Sequence, residues 1–342
     1  RLRNNMLVTY IRSSSYNNFE YCQMQYFITY VLGHQSVSGK KAQLGTIVHK
    51  VMEVLGGCKK ILQDKGEMVL NDDGLGEIEF TKRKLNTKKF VNEIVKRSYE
   101  YYTENCTHHY TNADYKFCEE TTWEGLLYDD GNFDPRKRNI IASEPHFDIA
   151  IEEDWAKFSY ETEDGETLQG QLAIKGTIDL VTEIDGGVIE VIDWKTGKRL
   201  NWATGEKKTY EKLCEDPQLM LYYYAISKKF PEYKDAIMSI FYIRDGGPFS
   251  ICFEDSDKEK FLGMLKDRFE EIKKTVNPKM LSRRQAHWKC TKLCDFCKND
   301  WPGTKDNICR HVSNNLEQFG MLDTVQNCTK EGFSIGHYEA PG

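Results

Sequence analysis

No apolar stretch in this 342-residue chain approaches the roughly 18 consecutive residues that a membrane-crossing helix needs. The longest, Leu219 to Ile226, reads as a buried helix. No secretory signal opens the sequence, and the 11 cysteines are an odd number. Scattered disulfides are therefore not expected, and a reduced, cytoplasmic or nucleoid-associated setting is. Internal repeats are also missing. A phosphate-loop look-alike, Gly33-His-Gln-Ser-Val-Ser-Gly39-Lys40-Lys41, has one residue too many and lacks the hydroxyl residue after lysine. That excludes a fused ATPase, so any helicase or motor would be a separate chain. An excess of positive charge is lacking too: 47 Lys and Arg face 53 Asp and Glu, for a net charge of -6. A nucleic-acid binder of this balance must gather its cations locally. Hydrophobic residues make up 39%, enough to build a packed core in one elaborated domain or two small ones.

The most informative stretch is Gly176-Thr-Ile-Asp179-Leu-Val, followed by Asp193-Trp-Lys195-Thr-Gly197. Leu172 to Glu183 and Val188 to Trp194 are rich in apolar and β-branched residues and are separated by a turn signal, Asp185-Gly186-Gly187. Two adjacent strands would bring Asp179 and Asp193 together on one small sheet. Lys195, two residues after Asp193, projects from the same strand face. Two carboxylates and an ammonium suit Mg²⁺ or Mn²⁺ and a phosphate or attacking water. Read alone, the same residues are an ordinary charged hairpin.

Other segments agree with the first reading. Leu44-Gly-Thr-Ile-Val-His49-Lys-Val-Met-Glu53 has helical spacing, with His49 and Glu53 on one face. A neutral imidazole can complete a carboxylate metal site. Asp216-Pro217-Gln218-Leu-Met-Leu-Tyr222 begins a helix on which Gln218 and Tyr222 share a face. Three cysteines crowd Cys290-Thr-Lys-Leu-Cys294-Asp-Phe-Cys297, with Cys309 following. Soft thiolates so spaced can share a Zn²⁺ or an Fe–S cluster.

This order of motifs, from about Ser13 to His311, resembles the RecB-like branch of the PD-(D/E)xK nucleases. The resemblance implies an α/β, restriction-endonuclease-like mixed sheet flanked by helices. It implies a Mg²⁺ or Mn²⁺ site made by His49, Asp179, Asp193 and the carbonyl of Trp194, with Lys195 as the catalytic lysine. Gln218 and Tyr222 would support the site and contact DNA. Glu144 resembles an acid that opens the first core strand. Some members, including the AddB type and the CRISPR-associated exonucleases, carry a [4Fe–4S] cluster that joins an N-terminal cysteine to three near the C-terminus. Here that implies Cys22, Cys290, Cys294 and Cys309, with Cys297 competing for the last place and Zn²⁺ as the alternative to Fe–S.

The expected organisation is N-terminal helices (1–57), an insertion or lid (58–142), a nuclease core (143–280) and a Cys-rich C-terminal part (281–342). Within the insertion, Thr87–Asn105 reads as a helix followed by polar, aromatic-rich turns. It is either a lid that stacks single-stranded bases or a cap with its own small core. Cys106, His108, His109 and Cys118 form a weaker metal candidate. Lys40, Lys41, Lys198 and Arg199 adjoin the motifs and are the first DNA-binding candidates. The expected activity is metal-dependent hydrolysis of DNA, from a free end and on single strands, in repair, recombination or replication. A flap endonuclease and a non-catalytic DNA-binding subunit of a larger assembly are the rivals.

Overall fold

The computed structural model describes residues 6–104, 106–161, 167–201 and 205–334. The chain runs β1 (Tyr10–Ile11), α1 (Ser13–Tyr21), α2 (Gln23–Tyr26) with a wider helical turn at Phe27–Val31, and α3 (Lys40–Gln63). A hairpin follows, β2 (Val69–Asp72) and β3 (Gly76–Glu79), then α4 (Lys82–Leu85), α5 (Lys88–Glu104) and α6 (Asn112–Leu127). Next come β4 (Asn139–Ser143), β5 (His146–Ala150), β6 (Lys157–Glu161), β7 (Thr167–Gln171), β8 (Ala173–Thr177), β9 (Leu180–Asp185) and β10 (Val188–Lys195). The last part holds α7 (Tyr210–Cys214), α8 (Pro217–Lys229), β11 (Asp235–Tyr242), β12 (Gly247–Cys252), α9 (Asp255–Lys274), α10 (Trp288–Lys292), α11 (Asp295–Lys298) and α12 (Ile308–Cys328).

A five-stranded mixed sheet, ordered β12-β11-β10-β9-β4, forms the centre. Its middle strand β10 pairs in parallel with β11 and antiparallel with β9. Six consecutive residues of β10, Ile189 to Trp194, are buried, as expected of a strand covered on both faces. Period-two geometry sorts its side chains. Ile189 and Val191 enter one core with α1, α8 and α9 residues, while Ile192 and Trp194 enter a second with α3 and α5. A smaller sheet, β1-β8-β5, lies beside it.

The second core is a sandwich. α3 packs against β4 on one side and against α5 and α6 on the other. Val48, Val51, Met52, Val54 and Leu55 of α3 are all fully buried, each contributing about 1.5–3 kcal/mol relative to exposure. The segment between α3 and β4 starts and ends at one place, because Gln63 accepts from the Ile140 backbone N–H at 2.9 Å and donates to its carbonyl at 3.1 Å.

Three expectations are corrected. The segment after Glu104 is not only turns, because α6 occupies Asn112–Leu127. Its buried residues are Cys118, Thr121, Thr122, Gly125 and Leu126, mostly small or hydroxyl-bearing, so the apolar stripe is weak. The boundary expected at 142/143 cuts through β4, an edge strand of the central sheet. Finally, Leu172–Glu183 is not one strand: β8 and β9 belong to different sheets, and Asp179 lies in the break between them.

Candidate active site

Asp179 and Asp193 come together from different starting points. Asp193 stands on β10 on the face of Ile189 and Val191, 2% exposed. Asp179 sits where the chain passes from β8 to β9, and its Oδ2 accepts the backbone N–H of Trp194 at 2.9 Å. That bond holds the loop acid against the strand acid's neighbour. Lys195, at the end of β10, places Nζ 3.0 Å from Asp193 Oδ1 and 2.8 Å from Oδ2. The same-face prediction for Asp193 and Lys195 thus holds as geometry. His49, on α3, brings Nδ1 to 3.4 Å from Asp179 Oδ2. From α8, Gln218 donates to the Tyr222 hydroxyl at 2.9 Å. Asp216 caps that helix by accepting the Gln218 N–H at 2.9 Å, with Pro217 preset for its first turn.

The electrostatics follow from burial and neighbours. Burial pulls the His49 imidazole down, but the charge and hydrogen bond of Asp179 outweigh it and the net shift is upward. Burial raises Asp179, yet His49, Lys195 and the Trp194 N–H together hold it below the ordinary carboxylate value. Asp193 is raised, by burial first, with Lys195 opposing and Asp179 adding to the rise. Burial opposes the charge on Lys195, but the neighbouring acids Asp193 and Asp179 help to outweigh it, so the ammonium is held protonated. The Tyr222 hydroxyl is raised by burial and by Asp193, which keeps it a neutral donor.

α3 approaches the end of β10 closely. A Cβ on Gly45 would lie 2.6 Å from Thr196 Oγ1, so a larger residue there would have to turn the Thr196 hydroxyl away or shift the His49 helix from the Lys195-Thr196 turn.

A network behind the site was not anticipated. Lys50 Nζ bridges Glu53 Oε1 at 2.8 Å and Asp72 Oδ2 at 2.9 Å, tying α3 to the β2–β3 hairpin. Glu53 also hydrogen-bonds Glu144, and burial with that second carboxyl pushes Glu53 up to about 8 despite Lys50. Glu144 reaches this place in a left-handed backbone conformation, φ 48°, and its N–H donates to the Asp179 carbonyl at 2.9 Å. Only the presence of Glu53 four residues after His49 hinted at this arrangement; Lys50–Asp72 is a long-range pair with no local signal.

Of the basic candidates, Lys40 is paired with Asp114 at 2.7 Å, which answers the structure of the insertion. Lys41 and Lys198 are exposed. Arg199 lies over the Phe249 ring at 4.3 Å, and its N–H donates to Asp245. The Cys106/His108/His109/Cys118 set does not converge. Cys118 is buried against the Leu44 carbonyl at 3.7 Å, Cys106 accepts from Tyr110 at 3.3 Å, and His108 meets the Ser38 carbonyl at 2.8 Å. Tyr99 packs edge-on against Tyr110 and Tyr115, and all three lie against the second core.

All five candidate cysteines, Cys22, Cys290, Cys294, Cys297 and Cys309, line one cavity. The thiols crowd one another. Cys294 is raised strongly by its hydrogen bond with Cys297 and then by burial. The Cys294 bond lowers Cys297, but Cys309 and burial outweigh it and push Cys297 up to about 12. Among the described residues no three His, Cys, Asp or Glu side chains are already arranged as a metal cage. The acids are drawn onto His49 and Lys195, and the thiols onto each other. Among the described residues no helix is long and apolar enough to cross a membrane.

The family model of the PD-(D/E)XK nuclease superfamily matches residues 13–300. The chain belongs to that superfamily, whose nucleases typically use Mg²⁺ or Mn²⁺. No curated protein matches the chain. Among solved structures it is similar to one called "Putative exonuclease", from Eubacterium rectale, at 14% identity and a TM-score of 0.45, over 87% of this chain and 90% of that one.

Proposed function

We propose that the protein is a RecB-like deoxyribonuclease that hydrolyses single-stranded DNA from a free end with Mg²⁺ or Mn²⁺. The observation that carries this reading is the convergence of His49, Asp179, Asp193 and Lys195 at the end of β10. One imidazole and two carboxylates form a donor set that fits a hard cation. Both oxygens of the buried Asp193 carboxylate lie against the Lys195 ammonium, at 3.0 Å and 2.8 Å, so an ion bound here would share that carboxylate with the lysine. His49, Asp179, Asp193 and the Trp194 carbonyl would hold it. A bound Mg²⁺ or Mn²⁺ supplies a more acidic water and charge stabilisation. The chain's own contribution is positional. The protonated Lys195 ammonium meets the charge that develops on the scissile phosphate. Gln218 and Tyr222, fixed to each other, orient that phosphate, and the Asp179–Trp194 bond keeps the two acids in register.

The five thiols fit a [4Fe–4S] cluster better than an uncharged core. Crowded thiols held protonated are relieved by a cation that takes them as thiolates. Cys22, Cys290, Cys294 and Cys309 are the assigned set, with Cys297 competing for the last place and Zn²⁺ as the other occupant. Its role is to tie α1–α2 to the Cys-rich segment.

The test is digestion of end-labelled linear and circular single-stranded DNA with Mn²⁺ by anaerobically purified protein, beside Asp193→Ala. The expected result is ladder-like digestion of linear strands only, abolished in the variant. Cutting of circles would replace this reading with an endonuclease. Binding without cutting by either protein would leave a non-catalytic subunit.

A further inference from the structure

The Cys-rich segment carries a surface that packing does not explain. Trp288 is 56% exposed and Leu293 50% exposed, at the two ends of α10. Both lie outside the hydrophobic cores, although Cys290 between them is buried. An exposed tryptophan costs solubility and offers a flat apolar face, here with the His287 ring at 6.1 Å. The surroundings are cationic. Lys289 Nζ stands 5.8 Å from the Trp288 ring and 5.3 Å from the Tyr21 ring of α1. Lys292, Arg283 and Arg284 are exposed nearby in sequence.

Lys289 also lines a groove that reaches the catalytic helix. A cavity of about 570 Å³ has Lys289, Leu293 and Tyr21 in its lining together with Asp216 and Pro217, the start of α8. Gln218 is the next residue. Trp288 stands outside the lining but beside it, its ring 5.8 Å from Lys289 Nζ. Ser14, Asn17 and Asn18 of α1 add polar, uncharged groups to the lining. The acids in the lining are offset: Asp216 is paired with Lys208, Glu215 with Lys260 at 3.1 Å, and Glu20 with Arg268 at 3.5 Å. A groove whose acids are paired, and whose lining lysine, Lys289, has a tryptophan ring beside it, suits a strand with unpaired bases and a phosphate backbone. A duplex would hide the base faces that Trp288 could stack on.

We propose that Trp288 and Lys289 form a stacking and phosphate-binding site for single-stranded DNA at the margin of this groove. It rests on the nuclease reading above and names where the strand is held beyond the reacting phosphate. Trp288 stacks on a base and Lys289 meets the adjoining phosphate. Such contacts hold the strand without reading its sequence.

The experiment compares Trp288→Ala, Trp288→Phe and Lys289→Ala. Binding of fluorescein-labelled (dT)20 is measured in the Asp193→Ala background, so that no strand is cut, and steady-state cleavage is measured in the otherwise unaltered chain. Trp288→Ala is expected to weaken (dT)20 binding and raise KM by about tenfold, with kcat within about twofold. Trp288→Phe restores most of the loss, and the penalty shrinks for (dT)4. Lys289→Ala lowers the slope of log affinity against log salt by about one. A Trp288→Ala protein that binds (dT)20 as tightly as its parent overturns the proposal while leaving the nuclease intact. So does a fall in kcat with KM unchanged, which marks a merely structural residue. An unaltered protein that neither binds nor cuts (dT)20 removes both readings together.

Discussion

The backbone N–H of Trp194 donates to Asp179 at 2.9 Å, so an acid from the break between two sheets is fixed to the strand that carries Asp193. Asp179→Asn keeps an oxygen that can accept this bond but removes the charge facing His49 and Lys195. The variant should melt within a few degrees of the parent and cleave at least about a hundredfold more slowly in single-turnover assays. Near-normal cleavage would remove Asp179 from the proposed metal set.

Gly45 against Thr196 gives a test of how finely α3 must sit. Gly45→Ala brings its new methyl to 2.6 Å from Thr196 Oγ1, displacing the Thr196 hydroxyl, the His49 helix or the turn after Lys195. We expect cleavage to fall about tenfold or more. Since the next Thr196 atom, Cβ, is 3.9 Å away, adding Thr196→Ala should restore much of that loss. A double variant no better than Gly45→Ala would show that this contact does not set the site.

The Glu53–Glu144 pair predicts a pH dependence of stability. Glu53 is raised from 4.5 to about 8 in the folded chain. The folded state therefore binds the proton more tightly than the unfolded one. The stability from this group is complete below about pH 4.5 and is lost as pH rises towards 8, by at most about 1.4 kcal/mol per unit. Glu53→Gln cannot ionise, so its melting temperature should fall less between pH 6 and 8.5 than the parent's. Parallel curves would show that the pair does not titrate there.

Metal content and stability should identify the four ligands among the five cysteines. With a [4Fe–4S] cluster the anaerobic protein is brown and bleaches with oxidant. With zinc it is colourless and binds one equivalent. Serine at any true ligand should abolish the bound metal and lower the melting temperature by about 5 °C or more, whereas serine at the fifth position should do neither. Retention of the metal in all five single variants would remove the cluster reading.

The parts of the candidate site that could be read in the sequence obey short-range geometry. Asp193 and Lys195 share a strand face because side chains alternate. Gln218 and Tyr222 meet because four residues make about one helical turn. Beyond that range the sequence is less direct. Asp179 was expected on a strand beside Asp193, yet it lies in a break between sheets, since the run from Leu172 to Glu183 has no turn signal at the switch. α6 is hard to read because, apart from Leu126, it buries threonine, cysteine and glycine where an apolar stripe is the usual mark. Lys50 finds Asp72 across 22 positions, a pairing that depends on tertiary packing.

The double covering of α3 bears on attempts to make this protein smaller. Gln63 and Ile140 touch, so a short splice from one to the other would be easy to close, and the 70-odd residues removed include no proposed ligand. The result would still be a poor enzyme. Phe90, Val91, Ile94 and Val95 would leave with the excised piece, turning the outer flank of the His49 helix into a greasy seam in water. A trimmed chain would clump before it could cut, so these residues belong to the minimum a working gene must encode.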